Sequence, residues 1–398
     1  MRSKRPDLDV LVIGAGPAGS ECARRLAEAG FSVVVAEEHE RSGEPIHCTG
    51  IISAQAYAAF GLPGSAVQSE LRAGELTSPG GVTLRVEFNG SRPLVVDRGL
   101  VDRELARRAE ESGAVISYRT KARALAVDRW GVTATGTREG EPWQTRSRCM
   151  VLASGARSRL PGQAGLADAR DTLHGAQAEA SVHSPPTMRV WLGHRLVPGG
   201  FGWVVPGPTG KSRVGVMTRS HPRQALRQVA EKALDGGFAS DKMGDIRVHP
   251  IPAAPRHPTS GHRVLSVGDA AGQVKMTTGG GVYYGLLGAR IASEVLAEGL
   301  QRGRLGARDL GRYERLWQQL LGPEQRAGRL LRRLVSAVPD EAIDDLFRSA
   351  EAMGFSRYLV DVLDFDWHAR PSLWLLFAML AAAPGKRGSL RWLKMLMS

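Results

Sequence analysis

Three glycines spaced as Gly14-Ala-Gly16-Pro-Ala-Gly19 stand directly after the apolar run Val10–Ile13. Glycines between a strand and a helix can hold a phosphate. The first permits a tight turn, the second lets backbone approach a pyrophosphate, and the third allows close helix–sheet packing, with the helix amino terminus supplying positive charge. Glu37 closes a second apolar run, Phe31–Ala36, where a carboxylate would accept hydrogen bonds from ribose hydroxyls. This fingerprint marks a dinucleotide and does not separate nicotinamide from flavin. A second block, Gly268-Asp269-Ala-Ala-Gly272, follows the strand-like run Val264–Val267 and leads into Thr277-Thr-Gly-Gly-Gly281-Val282-Tyr283-Tyr284. An aspartate just past a strand end can bind polyol hydroxyls. Glycines that open a helix aim N–H groups and a positive dipole at an electron-rich acceptor, of which a reduced flavin ring is one.

The chain has 3 cysteines, Cys22, Cys48 and Cys149. They are too few for a disulfide framework and too dispersed for a zinc cluster, so a reducing compartment and no metal site are expected. Cys22 and Cys149 fit the ordinary role of a small buried hydrophobe. Cys48 instead belongs to the loop Glu44-Pro-Ile-His-Cys48-Thr49-Gly50-Ile-Ile-Ser53.

The elements that must position these residues are legible as patterns. Residues 9–37 read as strand, glycine turn, helix and strand, a βαβ start. From about residue 74 to 96, alternation bounded by Gly80-Gly81 and Asn89-Gly90 suggests antiparallel strands with a hairpin signal at Asn89-Gly90. Residues 100–112 predict a helix, and 115–118, 124–128, 132–137 and 150–153 predict strands. Alternation resumes over 175–217, helices are predicted over 223–234 and 282–300, and from 305 onward the chain reads as helical. The expected fold is α/β: a Rossmann-like dinucleotide domain with a parallel sheet, in pieces 1–65, 97–174 and 256–300; an interleaved antiparallel β substrate domain, 66–96 and 175–255; and a helical region, 301–398.

Composition narrows the class. The 398 residues are 42% hydrophobic and 23% charged, as in a soluble globular protein. The net charge of +13 is uneven: residues 1–100 sum to −2, whereas 384–398 carry four basic residues and no acidic one. No basic–aromatic run or RNA-binding motif occurs, so nucleic acid is not an expected partner. No signal peptide is expected, because Asp7 and Asp9 follow the basic residues and the apolar run stops at Gly14. A cytoplasmic protein is expected. The longest apolar run, Leu373–Ala383, has 11 residues, about half of the ~20 that span a bilayer as a helix.

Taken in order, these blocks resemble the geranylgeranyl reductase family of FAD-dependent oxidoreductases, within the wider hydroxylase-like flavoproteins. The likeness covers roughly residues 9–320. It rests on the fingerprint, the Cys48 loop, Asp97-Arg98 leading into Val101-Asp102-Arg103, Ala153-Ser154-Gly155-Ala-Arg157-Ser158, Phe201-Gly-Trp203-Val-Val-Pro206, and the 268–284 segment. The resemblance implies FAD, with Gly14, Gly16, Ala18, Gly19, Glu37, Cys48, Thr49, Gly50, Arg98, Ala122, Asp269, Gly281 and Val282 as contacts. The family's Tyr-x-Trp-x-Phe-Pro motif is altered here, Phe201 and Val205 replacing tyrosine and phenylalanine, which removes a hydroxyl. Trp203, Tyr283 and Tyr284 are expected at the substrate. Flavin hydroxylases carry Asp-Gly where this chain has Ser154-Gly155, and flavin halogenases need an early lysine where none occurs between Lys4 and Lys121.

The resemblance implies a reductase that saturates C=C bonds of a geranylgeranyl lipid, a geranylgeranyl diphosphate or a polyprenyl quinone. Such a reaction delivers hydride to one carbon and a proton to the other; the Cys48 thiol or a water can supply that proton. The alternatives are a flavin monooxygenase on an apolar aromatic or quinone, and a non-enzymatic flavin redox protein. No second glycine fingerprint marks a nicotinamide domain, so the electron donor is either transiently bound NAD(P)H or a reduced redox protein. An isoprenoid lipid or quinone partner and the apolar-then-basic stretch 373–398 suggest peripheral contact with the inner face of the cell membrane.

Overall fold

Val10, Leu11 and Val12 are fully buried, as a strand covered on both faces requires. They lie in β1 (Leu8–Ile13), which is followed by α1 (Pro17–Glu28) and β2 (Val33–Ala36). This is a computed structural model, and it describes residues 8–88, 92–168, 171–181, 186–233, 243–354 and 364–369. The chain continues through β3 (Ile51–Ser53), α2 (Ala54–Ala59), β4 (Val67–Glu70), β5 (Ala73–Thr77), β6 (Thr83–Glu87), β7 (Pro93–Val96) and α3 (Arg98–Glu111). Next come β8 (Val115–Ser117), β9 (Thr120–Val127), β10 (Val132–Arg138), β11 (Glu141–Leu152), α4 (Leu160–Gln163), β12 (Thr172–Ala180), β13 (Thr187–Trp191), β14 (Phe201–Pro206) and β15 (Ser212–Thr218). The rest is α5 (Pro222–Ala233), β16 (Arg247–Pro252), β17 (Ser260–Gly261), β18 (Val264–Ser266), α6 (Val282–Gln301), α7 (Ala307–Ala337) and α8 (Asp340–Ala352).

The first sheet runs β17-β18-β11-β1-β2-β8, with β10 and β9 joined to β11. β11 serves two sheets' worth of work because its two halves differ. The segment up to Ser147 alternates in exposure and pairs antiparallel with β10, whereas Cys149–Leu152 is buried and pairs parallel with β1. Helices α1, α6 and α7 cover one face through Cys22, Leu26, Leu287, Leu296, Tyr313 and Trp317, and the β9–β10 hairpin covers the other through Val132 and Ala134. Cys22 and Cys149 are buried, as expected for hydrophobes. Burial pushes the Cys149 thiol up to about 12.

The second sheet runs β16-β12-β15-β14-β13-β5-β6. Its back packs on α5 through Val204, Val214, Val216, Leu226 and Val229. The front carries Phe201, Trp203, Met217, Leu173 and Ile251. One pair departs from the antiparallel expectation: β5 and β13 are parallel. More than a hundred residues, including four of the eight strands of the first sheet, separate these strands, so no hairpin constrains their direction. The Gly80-Gly81 turn joins β5 to β6. Asn89-Gly90 and the 370–398 tail lie outside the described residues. Among the described residues, no helix is long and apolar enough to cross a membrane.

Candidate functional site

At the end of β1 the chain turns at Gly14, whose φ of +101° suits glycine. A Cβ on Gly19 would stand 2.0 Å from the Gly14 carbonyl oxygen, so only glycine lets α1 sit on this turn. Gly16, by contrast, has nothing within 4 Å of its Cβ position. Open space therefore lies ahead of the α1 amino terminus, where Pro17 begins the helix without a side-chain cap. Glu37 is 7% exposed and its carboxylate accepts from the Ala15 N–H at 2.7 Å and the His39 N–H at 3.0 Å. The expected ribose ligand is thus first a brace for the turn. A carboxylate accepts about four hydrogen bonds, so capacity remains for a ribose. Ala122 lies on β9 close to this end, two residues beyond Thr120, whose N–H reaches the Glu37 carbonyl at 2.7 Å.

Gly268 approaches the same helix: its Cβ position lies 3.1 Å from the Ala18 methyl. Gln273 fixes the block, accepting from the Gly268 N–H at 2.8 Å and donating to the Tyr313 hydroxyl at 2.8 Å. Asp269 follows with a carboxylate that makes no hydrogen bond among the described residues. Burial raises its pKa, against the pull of Arg256 and Arg98. A Cβ on Gly281, the residue before α6, would come within 2.6 Å of that carboxylate. Val282 and Tyr283 follow, both partly buried.

The Cys48 loop is pinned from three sides. A Cβ on Gly50 (φ +80°) would lie 2.4 Å from the Val96 carbonyl oxygen, so the loop presses on the β7–α3 junction. There Asp97 caps α3 by accepting from the Leu100 N–H at 3.0 Å. Arg98, 8% exposed, binds both oxygens of Asp102 at 2.8 and 3.0 Å. Burial alone would lower its pKa, but Asp102 and the adjacent Cys48 sulfur carry it above the ordinary value. From the third side, the Thr49 hydroxyl donates to Gln177 at 3.1 Å and accepts the Trp203 indole N–H at 3.0 Å, while Arg213 donates to the Thr49 carbonyl at 2.7 Å. The indole lies across Gly215, where a Cβ would fall 2.3 Å from the ring. Trp203 is therefore laid flat on the second sheet, next to Cys48.

Opposite this face stands the glycine loop before α6. A Cβ on Gly279 would touch the Met217 sulfur at 2.9 Å and Ile251 at 3.0 Å. Cys48, Thr49, Gly50, Arg98 and Trp203 thus form one group, and Gly14, Gly16, Ala18, Gly19, Asp269 and Gly281 another that Arg98 adjoins. Tyr283 packs on Phe60 and Trp367 with ring centroids 6.1 and 6.2 Å apart. Tyr284 departs from the substrate expectation: it is 1% exposed and its hydroxyl donates to the Asp366 carbonyl at 2.9 Å, so it holds protein rather than ligand.

That contact belongs to a strap, 364–369, that local sequence patterns do not reveal. Lys275, in the loop before α6, donates to Asp366 at 2.7 Å and to the Phe365 carbonyl at 2.6 Å. Asp366 also accepts from Ser53, the cap of α2, and Thr277 bonds His368. Glu324 of α7 accepts from the His368 and Ala369 N–H groups at 2.5 and 2.7 Å. Lys275 and Asp366 are 7% and 2% exposed.

Two histidines set an acid limit. Burial, with the Lys275 charge, pushes His368 down to about 4, and burial with His47 and Arg157 does the same to His249. An unfolded histidine titrates near ~6.5. Between that pH and about 4 the unfolded chain binds more protons, so stability falls as pH falls. Unfolding free energies from urea titration should drop from pH 7 to pH 4.5, by about 3–5 kcal/mol in total for the two groups. His368→Gln should flatten part of that slope; an unchanged slope refutes the assignment.

The residues present suit FAD. Open space before Gly16, the unpartnered Asp269 carboxylate, and the buried Arg98 Nε and Ser154 Oγ that lack partners among the described residues are what a dinucleotide's phosphates and polyol would satisfy. Known proteins agree with this frame. Residues 8–200 match the pyridine nucleotide-disulphide oxidoreductase family. Digeranylgeranylglycerophospholipid reductase 2 of Methanothermobacter thermautotrophicus is 31% identical over 361 residues, covering 87% of this chain and 93% of the relative. Digeranylgeranylglycerophospholipid reductase 1 of Methanopyrus kandleri is 33% identical over 329 residues, 79% and 86% of the two chains. A solved geranylgeranyl bacteriochlorophyll reductase-like protein from Thermoplasma acidophilum superposes with a TM-score of 0.81 at 21% identity, covering 98% of this chain and 99% of that one.

Proposed function

Because the chain belongs to the digeranylgeranylglycerophospholipid reductase family of FAD-dependent oxidoreductases, we propose that it saturates geranylgeranyl chains of an archaeal-type glycerophospholipid. The observation that supports this reading is the Trp203 indole, laid on the apolar face of the second sheet and bonded to Thr49, the residue after Cys48, with the glycine loop before α6 packed on Met217 and Ile251 of the same face. FAD, held by Gly14, Gly16, Gly19, Glu37, Arg98, Asp269 and Gly281, supplies the hydride when reduced.

The rest falls to the chain's own side chains. Phe201, Trp203, Met217 and Ile251 offer an apolar wall to an isoprenoid, and burying such a chain there excludes water from the reacting bond. Cys48 donates the proton to the second alkene carbon. The Arg98 guanidinium lies beside the sulfur. Thr49 and Arg213 hold the loop so that the thiol keeps its position. No side-chain hydroxyl stands at Phe201 to share this task.

Dithionite-reduced, FAD-loaded protein incubated with digeranylgeranylglycerophospholipid should yield products heavier by two hydrogens per double bond in mass spectrometry. Unchanged lipid mass together with rapid substrate-dependent oxygen use would replace this reading with the monooxygenase one. The lipid lies in a membrane, and the basic stretch 384–398 is suited to anionic headgroups; that stretch supports peripheral attachment at the cytoplasmic face.

A further inference from the structure

β16 is the edge strand of the second sheet, and a group of cationic and ionisable side chains gathers on it beside the Cys48 loop. Arg157 donates to the Val248 carbonyl at 2.5 Å, and Arg247 donates to the Ile46 carbonyl at 3.0 Å. Each guanidinium has five N–H groups, so most remain available. Neither arginine forms an ion pair with a carboxylate among the described residues. His47 and His249 stack on each other, ring centroids 4.8 Å apart and planes 18° from parallel, within reach of the Arg157 charge. Each ring encloses its Nδ1 without a partner, so Nε2 is the outward nitrogen. An enclosed nitrogen without an acceptor is cheapest unprotonated, which makes Nε2 the N–H donor.

Electrostatics agree with the geometry. Burial and then the Arg157 and Arg247 charges lower the His47 pKa, and burial, His47 and Arg157 lower that of His249. The chain concentrates positive charge here and does not neutralise it. Two guanidiniums and two imidazole donors converging on one open strand edge suit the oxygens of a phosphate, which accept several charge-assisted hydrogen bonds. The phosphates of FAD have their own place ahead of α1, so this cluster is left for a second ligand.

We propose that His47, Arg157, Arg247 and His249 form a binding site for the phosphate or diphosphate of a second ligand that reacts at the Cys48 loop. Two sources share this chemistry: the pyrophosphate of a nicotinamide dinucleotide electron donor, and the phosphate headgroup of the lipid. The functional meaning of the site rests on the reductase reading, whereas phosphate binding itself does not.

The test titrates FAD-saturated protein with inorganic pyrophosphate, NADPH and digeranylgeranylglyceryl phosphate in micelles, by calorimetry. The variant is the double substitution Arg157→Gln, Arg247→Gln, at two exposed side chains, with FAD content measured by its absorbance. Pyrophosphate should bind the parent and bind the variant at least tenfold more weakly. NADPH affinity falling by a similar factor with lipid affinity unchanged assigns the site to the donor, and the reverse assigns it to the headgroup. The proposal is overturned if the parent does not bind pyrophosphate, if the variant binds it equally well, or if the variant loses FAD as well. Lipid reduction is scored separately by mass spectrometry, so a failed phosphate site and a failed reductase reading remain distinguishable. His249→Asn, which keeps a polar side chain, should give a smaller loss and serves as the second variant.

Discussion

Cys48→Ala protein should retain FAD and lose turnover by about two to four powers of ten, the range over which a positioned general acid contributes. Retention follows because the loop's place is set by other groups. Gly50 packs on Val96, Thr49 bridges Gln177 and Trp203, and Arg213 grips the Thr49 carbonyl, none of which involves the thiol. The sulfur accepts from the Gly50 N–H at 3.4 Å, and that bond stays within the loop itself. Loss of turnover follows because hydride delivery without a proton leaves the alkene reduction incomplete. Cys48→Ser should be nearly as slow, a hydroxyl being a far weaker acid than a thiol. Single-turnover oxidation of reduced protein by lipid, followed at the flavin absorbance, measures the step directly. Rates within about threefold of the parent would assign the proton to water instead.

Lys275→Met should destabilise the protein by about 3–5 kcal/mol, since removing one partner of a buried ion pair leaves the other charge uncompensated. Asp366 is 2% exposed and would keep only its bond from Ser53. The Phe365 carbonyl would lose one of its two partners, keeping His368 Nε2 at 3.0 Å, and the contact of the ammonium with the Phe365 ring, 4.6 Å from its centroid, would disappear. Urea unfolding gives the magnitude. The double variant Lys275→Met, Asp366→Leu should recover most of the loss, because apolar replacement of both partners removes the desolvation penalty. A single-variant loss below about 1 kcal/mol would mean the pair is not formed in solution.

What could be read from sequence follows how local each signal is. The turn at Gly14 and the packing of Gly19 are consequences of spacing within one βαβ unit, and they stand in the fold as read. Glu37 was legible as an acid at a strand end, but its bond to Ala15 N–H depends on how β1 and β2 register. Trp203 gave no hint of lying on Gly215, because the two residues meet only through the pairing of β14 with β15. The parallel join of β5 to β13 and the whole strap 364–369 are contacts between distant segments with no shared period. Tyr284 illustrates the cost: placed after the glycine loop it reads as a ligand contact, whereas its partner, the Asp366 carbonyl, lies 82 residues away.

The strap also sets an order of events during synthesis. The glycine fingerprint is made well before β18, which leads into Gly268 and Asp269, and before Asp366, which fixes Lys275. Domains fold as units, amino-terminal parts first, but here the amino-terminal βαβ unit waits for partners encoded more than two hundred residues later. A nascent chain halted before residue 364 therefore carries the recognisable fingerprint without the Lys275–Asp366 clasp behind the glycine loop.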